Sequence, residues 1–152
     1  MTTSRCDDLT TEPITATSAA LPSDALVVFG ATGDLARKKL FPALYRLVER
    51  DLLDIPVVGV ARRPWSDDEL RAYAREAVSG RIEDVDTAVL DQLTGLMSYV
   101  SGDYTDPAAF QRVRDRLGSA ERTTFYLAIP PSMFDTVVDG LMAAGLHDRG
   151  RV

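Results

Sequence analysis

The chain has 152 residues, 45% hydrophobic and 26% charged, a composition typical of one soluble globular domain with a proper core. Its formal net charge of −6 argues against nucleic acid as a general partner, and no apolar run is long enough to cross a bilayer. The start of the chain lacks the features of a secretory signal, and Cys6, the single cysteine, excludes an internal disulfide. We therefore expect a cytoplasmic protein.

The first part of the chain predicts a tail, a strand, a glycine turn and a helix. Residues 1–24 are rich in Thr and Ser and show no periodicity, which predicts a disordered tail. The apolar, β-branched run at 25–29 predicts a buried strand. After two glycines, apolar residues recur with helical spacing over 34–50. Pro42 lies inside that helix, so we expect it to bend the helix or delay its regular start.

The rest of the chain alternates strands with helices. Apolar runs predict three further strands, at residues 55–61, 97–100 and 124–129. Start signals and apolar stripes predict four further helices: after a capping box of Ser66 and Glu69, over 86–96, from Asp106–Pro107 to Gly118, and from Phe134 to Gly145. Arg151 and Val152 resemble the first step of a fifth strand.

This order of elements predicts the fold class. Strands that alternate with helices form a parallel sheet with helices on both faces. Right-handed crossovers then place the turn after the first strand at the carboxyl edge of the sheet. We predict an α/β fold over 25–152, a Rossmann-like, doubly wound parallel sheet truncated before its fifth strand.

The glycine turn predicts a nucleotide site. Gly30 would let the chain turn sharply and let its backbone approach a phosphate closely. The following helix, with Asp34 at its start, would point unpaired N–H groups and its positive dipole end at that anion. The small residues are Gly30, Gly33 and Ala36, so the turn is one residue longer than G-x-G-x-x-G. A bare G-x-x-G-x-x-A is a weak signal, and the flanking strand and helix strengthen it.

The end of the second strand favours NADP over NAD. An acidic residue there would bond the ribose 2′-OH of NAD, whereas an arginine accommodates the 2′-phosphate of NADP. This strand ends with Arg62 and Arg63 and has no acid at its tip. Arg62 offers a planar fork for phosphate and a flat face for adenine, and Thr32 and Arg37 lie within reach of the same site. We prefer Arg62 to Arg63, which is better explained as a solvated strand end.

Three segments together resemble the glucose-6-phosphate dehydrogenase family. Residues 28–44, VFGATGDLARKKLFPAL, resemble its opening G-A-S-G-D-L-A-K-K-K with an aromatic residue and a proline beyond. Residues 58–62, VGVAR, resemble its strand end G-x-A-R, and residues 125–131, FYLAIPP, resemble its fourth strand. Thr32 stands where the family has Ser and Arg37 where it has Lys, which keeps the hydroxyl and the charge. The resemblance covers the chain from about residue 25 to its end.

The resemblance implies an activity that this chain would carry out only in part. The family transfers hydride from C1 of glucose 6-phosphate to NADP, with a histidine as general base. Its E-K-P-F-G motif, that histidine and the α+β domain that binds the sugar phosphate are expected beyond residue 152. We therefore expect NADP as the cofactor, binding of glucose 6-phosphate only with the C-terminal part, inactivity of the chain alone, and a homo-oligomer for the full-length protein.

The candidate coenzyme contacts lie in the glycine turn, at the end of the second strand, after the third strand and in the fourth strand. They are Gly30, Ala31, Thr32, Gly33, Asp34, Leu35, Ala36, Arg37, Arg62, Asp103, Tyr104 and Tyr126. We nominate no catalytic residue and no metal ligand, because the sequence offers no triad, metal-binding cluster or carboxylate pair. His147, the single histidine, is expected on the surface.

Two alternatives stay open. Extended short-chain reductases and epimerases also begin with G-A-T-G and can carry an arginine after the second strand. They rely on a Tyr-x-x-x-Lys pair, and no Tyr of this chain has a Lys four residues later. The other alternative is a non-catalytic nucleotide-binding remnant, whose fourth strand would be exposed to self-pairing.

Overall fold

A computed structural model describes residues 23–151, so residues 1–22 of the predicted tail lie outside the described part of the chain. Asp24, the last residue of that predicted tail, contacts the segment before the fourth strand. Its carboxylate accepts hydrogen bonds from the amides of Glu121 (2.8 Å) and Arg122 (2.9 Å). The bonds, that of Glu121 foremost, hold the pKa of Asp24 below its ordinary value. These contacts join Asp24 to the folded domain rather than to the tail.

The described residues form one sheet of five parallel strands. Their bounds are Ala25–Phe29 (β1), Val57–Ala61 (β2), Met97–Ser101 (β3), Thr123–Leu127 (β4) and Gly150–Arg151 (β5). Their order is β3-β2-β1-β4-β5, and β1 pairs with both β2 and β4. The doubly wound parallel sheet is confirmed. The fifth strand, of which the sequence predicts only a first step at Arg151 and Val152, is present as two residues, Gly150–Arg151, beside the start of β4, and Val152 lies outside the described residues. The direction of winding reverses between β1 and β4, and such a reversal opens a crevice at the carboxyl ends of the strands.

Helices cover both faces of this sheet. The α-helices of the described residues are Phe41–Glu49 (α1), Asp67–Ser79 (α2), Thr87–Gly95 (α3), Pro107–Leu117 (α4) and Phe134–Ala143 (α5). Buried residues of α1, α2 and α3, among them Leu44, Leu70 and Leu93, form one core cluster with Val28 and Val57 of the sheet. Buried residues of α4 and α5 form the second cluster on the opposite face, around Phe29. Among residues 23–151, no helix has the length and apolar character needed to cross a bilayer.

Pro42 has the effect that the sequence predicts. Residues 34 and 35 are already helical, but Ala36–Leu40 form a π-helical turn before α1 begins at Phe41. The amide of Phe41 donates to the carbonyl of Ala36, five residues back. Because proline has no N–H, it cannot make the ordinary bond to the fourth residue before it. The wider turn accommodates that loss, and the regular helix starts late.

The predicted helix ends agree with the structure within one or two residues. The Ser66 hydroxyl accepts from the Glu69 amide (3.2 Å), and the Glu69 carboxylate accepts from the Ser66 amide (3.0 Å). The Asp106 carboxylate caps α4, and Gly118 ends it with φ of +57°. Phe134, the first residue of α5, is 38% exposed.

Candidate functional site

An open cleft of ≈ 620 Å³ lies at the reversal of the sheet. The described residues that line it come from the carboxyl ends of β1, β2 and β4 and the segment after β3: Gly30, Thr32, Gly33, Ala61, Arg62, Arg63, Tyr104, Ala128, Ile129, Pro130 and Met133. Five of the twelve predicted contacts are therefore brought together: Gly30, Thr32, Gly33, Arg62 and Tyr104.

Gly30 fits a place that no other residue can take without strain. Its φ is +84°, and a Cβ there would lie 2.2 Å from the carbonyl oxygen of Ala128. Its amide donates to the carbonyl of Val60 (2.8 Å), while the amide of Ala128 donates to the carbonyl of Phe29 (2.9 Å). The glycine turn is thus held between β2 and β4, because its backbone bonds one strand and packs against the other.

Gly33 is small for a different reason. A Cβ at Gly33 would meet one atom within 4 Å, the carbonyl oxygen of Gly30 at 3.3 Å. The space in front of Gly33 is therefore part of the open cleft. The helix begins at the next residue, and the amides of a first helical turn have no intrahelical partners. Within the turn, the amides of Gly30 and Ala31 donate to the carbonyl of Val60, and that of Gly33 donates to the carbonyl of Gly30. The free donors are therefore those of the first helical turn after Gly33, and they suit an anion.

The tip of β2 brings positive charge to the same cleft. Arg62 and Arg63 are exposed, and both line it. The guanidinium of Arg63 lies 5.4 Å from the centroid of the Trp65 ring, a cation–π distance. The Tyr99 hydroxyl donates to the carbonyl of Arg63 (2.7 Å), which fixes the backbone beside the two arginines.

The two predicted residues after β3 behave differently. Tyr104 is buried against Phe29, and its hydroxyl lies 3.3 Å from the carbonyl of Val60. Burial raises the pKa of Tyr104, so the hydroxyl stays protonated as a donor. The Asp103 carboxylate instead accepts from the amide (2.9 Å) and hydroxyl (2.8 Å) of Thr105. Those bonds, with a smaller contribution from the Arg62 charge, lower the pKa of Asp103.

The remaining predicted contacts are not among the residues that line the cleft. Ala31 and Ala36 are fully buried, and Asp34 and Leu35 are exposed in the first helical turn. Arg37 lines a separate depression with Lys38, Glu76 and Arg81 between the first helical segment and α2. Tyr126 is 39% exposed in β4, opposite Val28.

Sequence reasoning missed the apolar wall of the cleft. Ala61 ends β2, and Ala128, Ile129, Pro130 and Met133 follow β4. Their signal was present, since residues just beyond neighbouring parallel strands meet at one edge of a sheet. They would flank a ligand that crosses from β2 to β4.

A second groove, of ≈ 400 Å³, lies between α4 and α5. The described residues that line it include Asp139 but no lysine or arginine, and Phe110 and Ala143 supply apolar surface. This groove does not suit an anion, whereas the cleft at the sheet reversal does.

Comparison with known proteins identifies the family. The family model for the glucose-6-phosphate dehydrogenase, NAD binding domain, matches residues 27–152. The chain belongs to this family. Glucose-6-phosphate 1-dehydrogenase 1 of Mycobacterium tuberculosis (strain ATCC 25618 / H37Rv) is 47% identical over 130 residues, which are 86% of this chain and 28% of that protein. The resemblance drawn from three sequence motifs is confirmed, which decides against the short-chain reductase alternative.

Solved structures of the glucose-6-phosphate dehydrogenase family share the fold. The crystal structure of the enzyme from Mycobacterium avium is 46% identical, with a TM-score of 0.81 over 86% of this chain and 29% of that chain. A glucose-6-phosphate dehydrogenase in complex with its substrate glucose-6-phosphate is 25% identical, with a TM-score of 0.76 over 89% of this chain and 30% of that chain. This chain therefore spans less than a third of the relatives it matches.

Proposed function

We propose that this chain is the coenzyme-binding part of an NADP-dependent glucose-6-phosphate 1-dehydrogenase. One observation carries the proposal: the glycine turn and the arginine tip of β2 line the same cleft, at the reversal of the sheet. Membership of the glucose-6-phosphate dehydrogenase family supports it.

The proposed arrangement follows the chemistry of the cleft walls. The pyrophosphate would rest where the glycine turn enters the helix after Gly33, because the free amides of the first helical turn and the helix dipole favour negative charge there. The ribose 2′-phosphate would take the planar fork of Arg62, which is exposed at the end of β2. The nicotinamide would lie toward the apolar wall that follows β4, near Ile129 and Met133. The coenzyme supplies the hydride acceptor, and these residues bind and orient it.

The complete reaction, hydride transfer from glucose 6-phosphate to NADP, is proposed only for a protein that also has the further segments found in the longer relatives. His147 does not serve as the general base in this proposal. It precedes β5, which pairs with the start of β4, so it lies at the opposite edge of the sheet from Gly30. Its side chain is 47% exposed and lies 3.3 Å from Asp148. In this proposal, residues outside this chain bind glucose 6-phosphate and deprotonate its C1 hydroxyl. The proposed full-length enzyme is a homo-oligomer in the cytoplasm.

Coenzyme binding can be tested on the chain itself. Circular dichroism and size-exclusion chromatography first establish a folded species, as distinct from a collapsed remnant. Trp65 is the single tryptophan and lies close to Arg63, so its fluorescence reports on the cleft. We expect NADP to bind about 10- to 100-fold more tightly than NAD, the value of one charge-assisted phosphate contact. A folded chain that binds neither nucleotide would refute the proposal.

A further inference from the structure

The ring of Trp65 contacts the rings of two tyrosines, Tyr73 and Tyr99. Trp65 precedes α2, Tyr73 lies in α2, and Tyr99 lies in β3. The Trp65 ring centroid is 5.1 Å from that of Tyr73 and 6.2 Å from that of Tyr99. We call this trio, Trp65, Tyr73 and Tyr99, the aromatic bracket. Its central ring touches both tyrosines, so they form one packed unit.

The two tyrosine hydroxyls of the bracket bond to the two parts of the proposed coenzyme site, the glycine turn and the end of β2. The Tyr73 hydroxyl donates to the carbonyl of Thr32 (3.0 Å) and lies 3.5 Å from that of Gly33. The Tyr99 hydroxyl donates to the carbonyl of Arg63 (2.7 Å). One end of the bracket therefore fixes the glycine turn, and the other fixes the backbone beside Arg62.

Both hydroxyls are donors at neutral pH. Burial raises the pKa of Tyr73 and raises the pKa of Tyr99 to about 12, so each phenol keeps its proton. Arg37 and Arg63, which oppose the shift at Tyr73, lie close enough for their charges to act on its hydroxyl. Both hydroxyls thus stay neutral donors, although the charges of Arg37 and Arg63 act on that of Tyr73.

The base of the bracket is itself braced. The Asp67 carboxylate, in the first turn of α2, accepts from the amide of Tyr99 (2.7 Å). The Arg71 guanidinium donates twice to the carbonyl of Met97, at 3.0 Å and 2.8 Å. These bonds fix α2 to β3 and give the tyrosine rings a rigid support. Loops held by rigid elements keep a binding geometry within narrower limits than free loops do.

We propose that the aromatic bracket sets the separation between the glycine turn and the arginine tip, and that Tyr73 and Tyr99 are positioning residues for coenzyme affinity and for the choice of NADP over NAD. The inference rests on the proposed function. Arg62 and the glycine turn both lie in connecting segments at the edge of the sheet. A ligand that spans two such segments binds more tightly when their spacing is set before it arrives, because less ordering entropy is lost.

The two tyrosines have separable roles. Tyr73 holds the turn that would cradle the pyrophosphate, which NAD and NADP share. Tyr99 holds the tip that would read the 2′-phosphate, which NADP alone carries. Because Tyr→Phe keeps the ring, a side chain that only filled space would leave both affinities unchanged. A loss of affinity therefore indicates that the hydroxyl positions the site, and the ratio of the two affinities indicates which part of the site it positions.

The experiment removes single hydroxyls and measures both nucleotides by isothermal titration calorimetry on the full chain. We expect Tyr73→Phe to weaken NADP and NAD alike, by roughly 3- to 10-fold. We expect Tyr99→Phe to weaken NADP by a similar factor and to leave NAD within about 2-fold. Tyr45→Phe is the matched control, because the Tyr45 hydroxyl accepts from the amide of Asp86 (2.8 Å), before α3 and away from the cleft.

The outcomes separate this inference from the proposed function. If the unmodified chain is folded and binds neither nucleotide, the proposed function is wrong and the inference goes with it. If it binds NADP, and both bracket variants bind like Tyr45→Phe, the inference is wrong and the proposed function stands. If Tyr99→Phe weakens the affinities for NAD and NADP equally, Tyr99 has no role in the preference for NADP. Should Tyr99→Phe melt below the assay temperature, unchanged affinities in Tyr73→Phe still overturn the positioning claim.

Discussion

Gly30 and Gly33 are three residues apart in the same turn, yet a methyl group should act on them in opposite ways. At Gly30 an added Cβ would lie 2.2 Å from the carbonyl oxygen of Ala128, with a backbone φ of +84°. At Gly33 it would meet the carbonyl oxygen of Gly30 at 3.3 Å and otherwise enter the cleft. Gly30→Ala should therefore lower the stability of the fold, whereas Gly33→Ala should weaken coenzyme binding.

The magnitudes follow from these contacts. A non-glycine residue at positive φ costs about 1–3 kcal/mol, and a forced overlap in a packed place costs about 1–3 kcal/mol more. Gly30→Ala should thus lose about 2–6 kcal/mol, which lowers the melting temperature by roughly 5–25 °C for a domain of this size. Gly33→Ala should cost under about 1 kcal/mol, because its single neighbour needs to move only slightly. Its methyl should weaken NADP at least about tenfold.

Stability is measured by thermal melting followed by circular dichroism at 222 nm, and binding is measured by titration with NADP at 15 °C. Gly95→Ala serves as the control, because a Cβ at that exposed glycine meets nothing within 4 Å. We expect the control to bind and melt like the unmodified chain. A Gly30→Ala protein with unchanged melting would refute the strain argument. A Gly33→Ala protein with unchanged NADP affinity would refute the placement of the pyrophosphate.

Three further predictions concern the N-cap of α2, the loss of stability in acid and the effect of salt on nucleotide binding. Ser66→Ala removes the cap of α2 and should lower the unfolding free energy by about 1 kcal/mol in denaturant titrations, and an equal midpoint would contradict it. The pKa of Asp67 is lowered, because bonds from the Tyr99 amide and the Arg116 guanidinium outweigh the effect of burial, so its stabilisation is present above about pH 4 and lost below it. At pH 7, Asp67→Asn should therefore be less stable than the unmodified chain by about 1 kcal/mol, a value that allows for solvent screening. Near pH 2 the two should be equally stable. Acid titrations followed by circular dichroism measure the difference, and a difference that does not change with pH would contradict this account. Raising salt from about 0.05 to 0.5 M should weaken NADP more than NAD in titrations, because the 2′-phosphate contact is a charge pair open to solvent, and an unchanged ratio would contradict it.

The fold was predictable because its signals are local. The runs that predict β1 to β4 are short and mainly apolar, and helices begin at capping residues such as Ser66 and Asp106. Strand ends were less certain: β2 begins at Val57 rather than at residue 55, and β4 ends at Leu127 rather than at 129. An apolar run continues into the wall of the cleft past the last ladder bond, so composition alone does not mark where pairing stops.

The site was predictable only where backbone decides it. Gly30, Gly33 and Arg62 meet because the turn and the strand tip share one edge of the sheet. The orientation of the Asp103 carboxylate toward Thr105 depends on side-chain geometry that spacing does not reveal. The bond from Tyr73 to Thr32 joins residues 41 apart, and periodicity explains that tyrosine equally well as part of an apolar stripe.

The most direct test of the account is the nucleotide preference of Arg62→Glu. Arg50→Glu makes the same charge change at another exposed arginine, at the end of α1, and controls for net charge. Calorimetric titration of both variants with NADP and NAD should show that Arg62→Glu loses at least about tenfold in NADP affinity, while NAD changes little and the control keeps the preference. An Arg62→Glu protein that still prefers NADP by the original ratio would contradict the account.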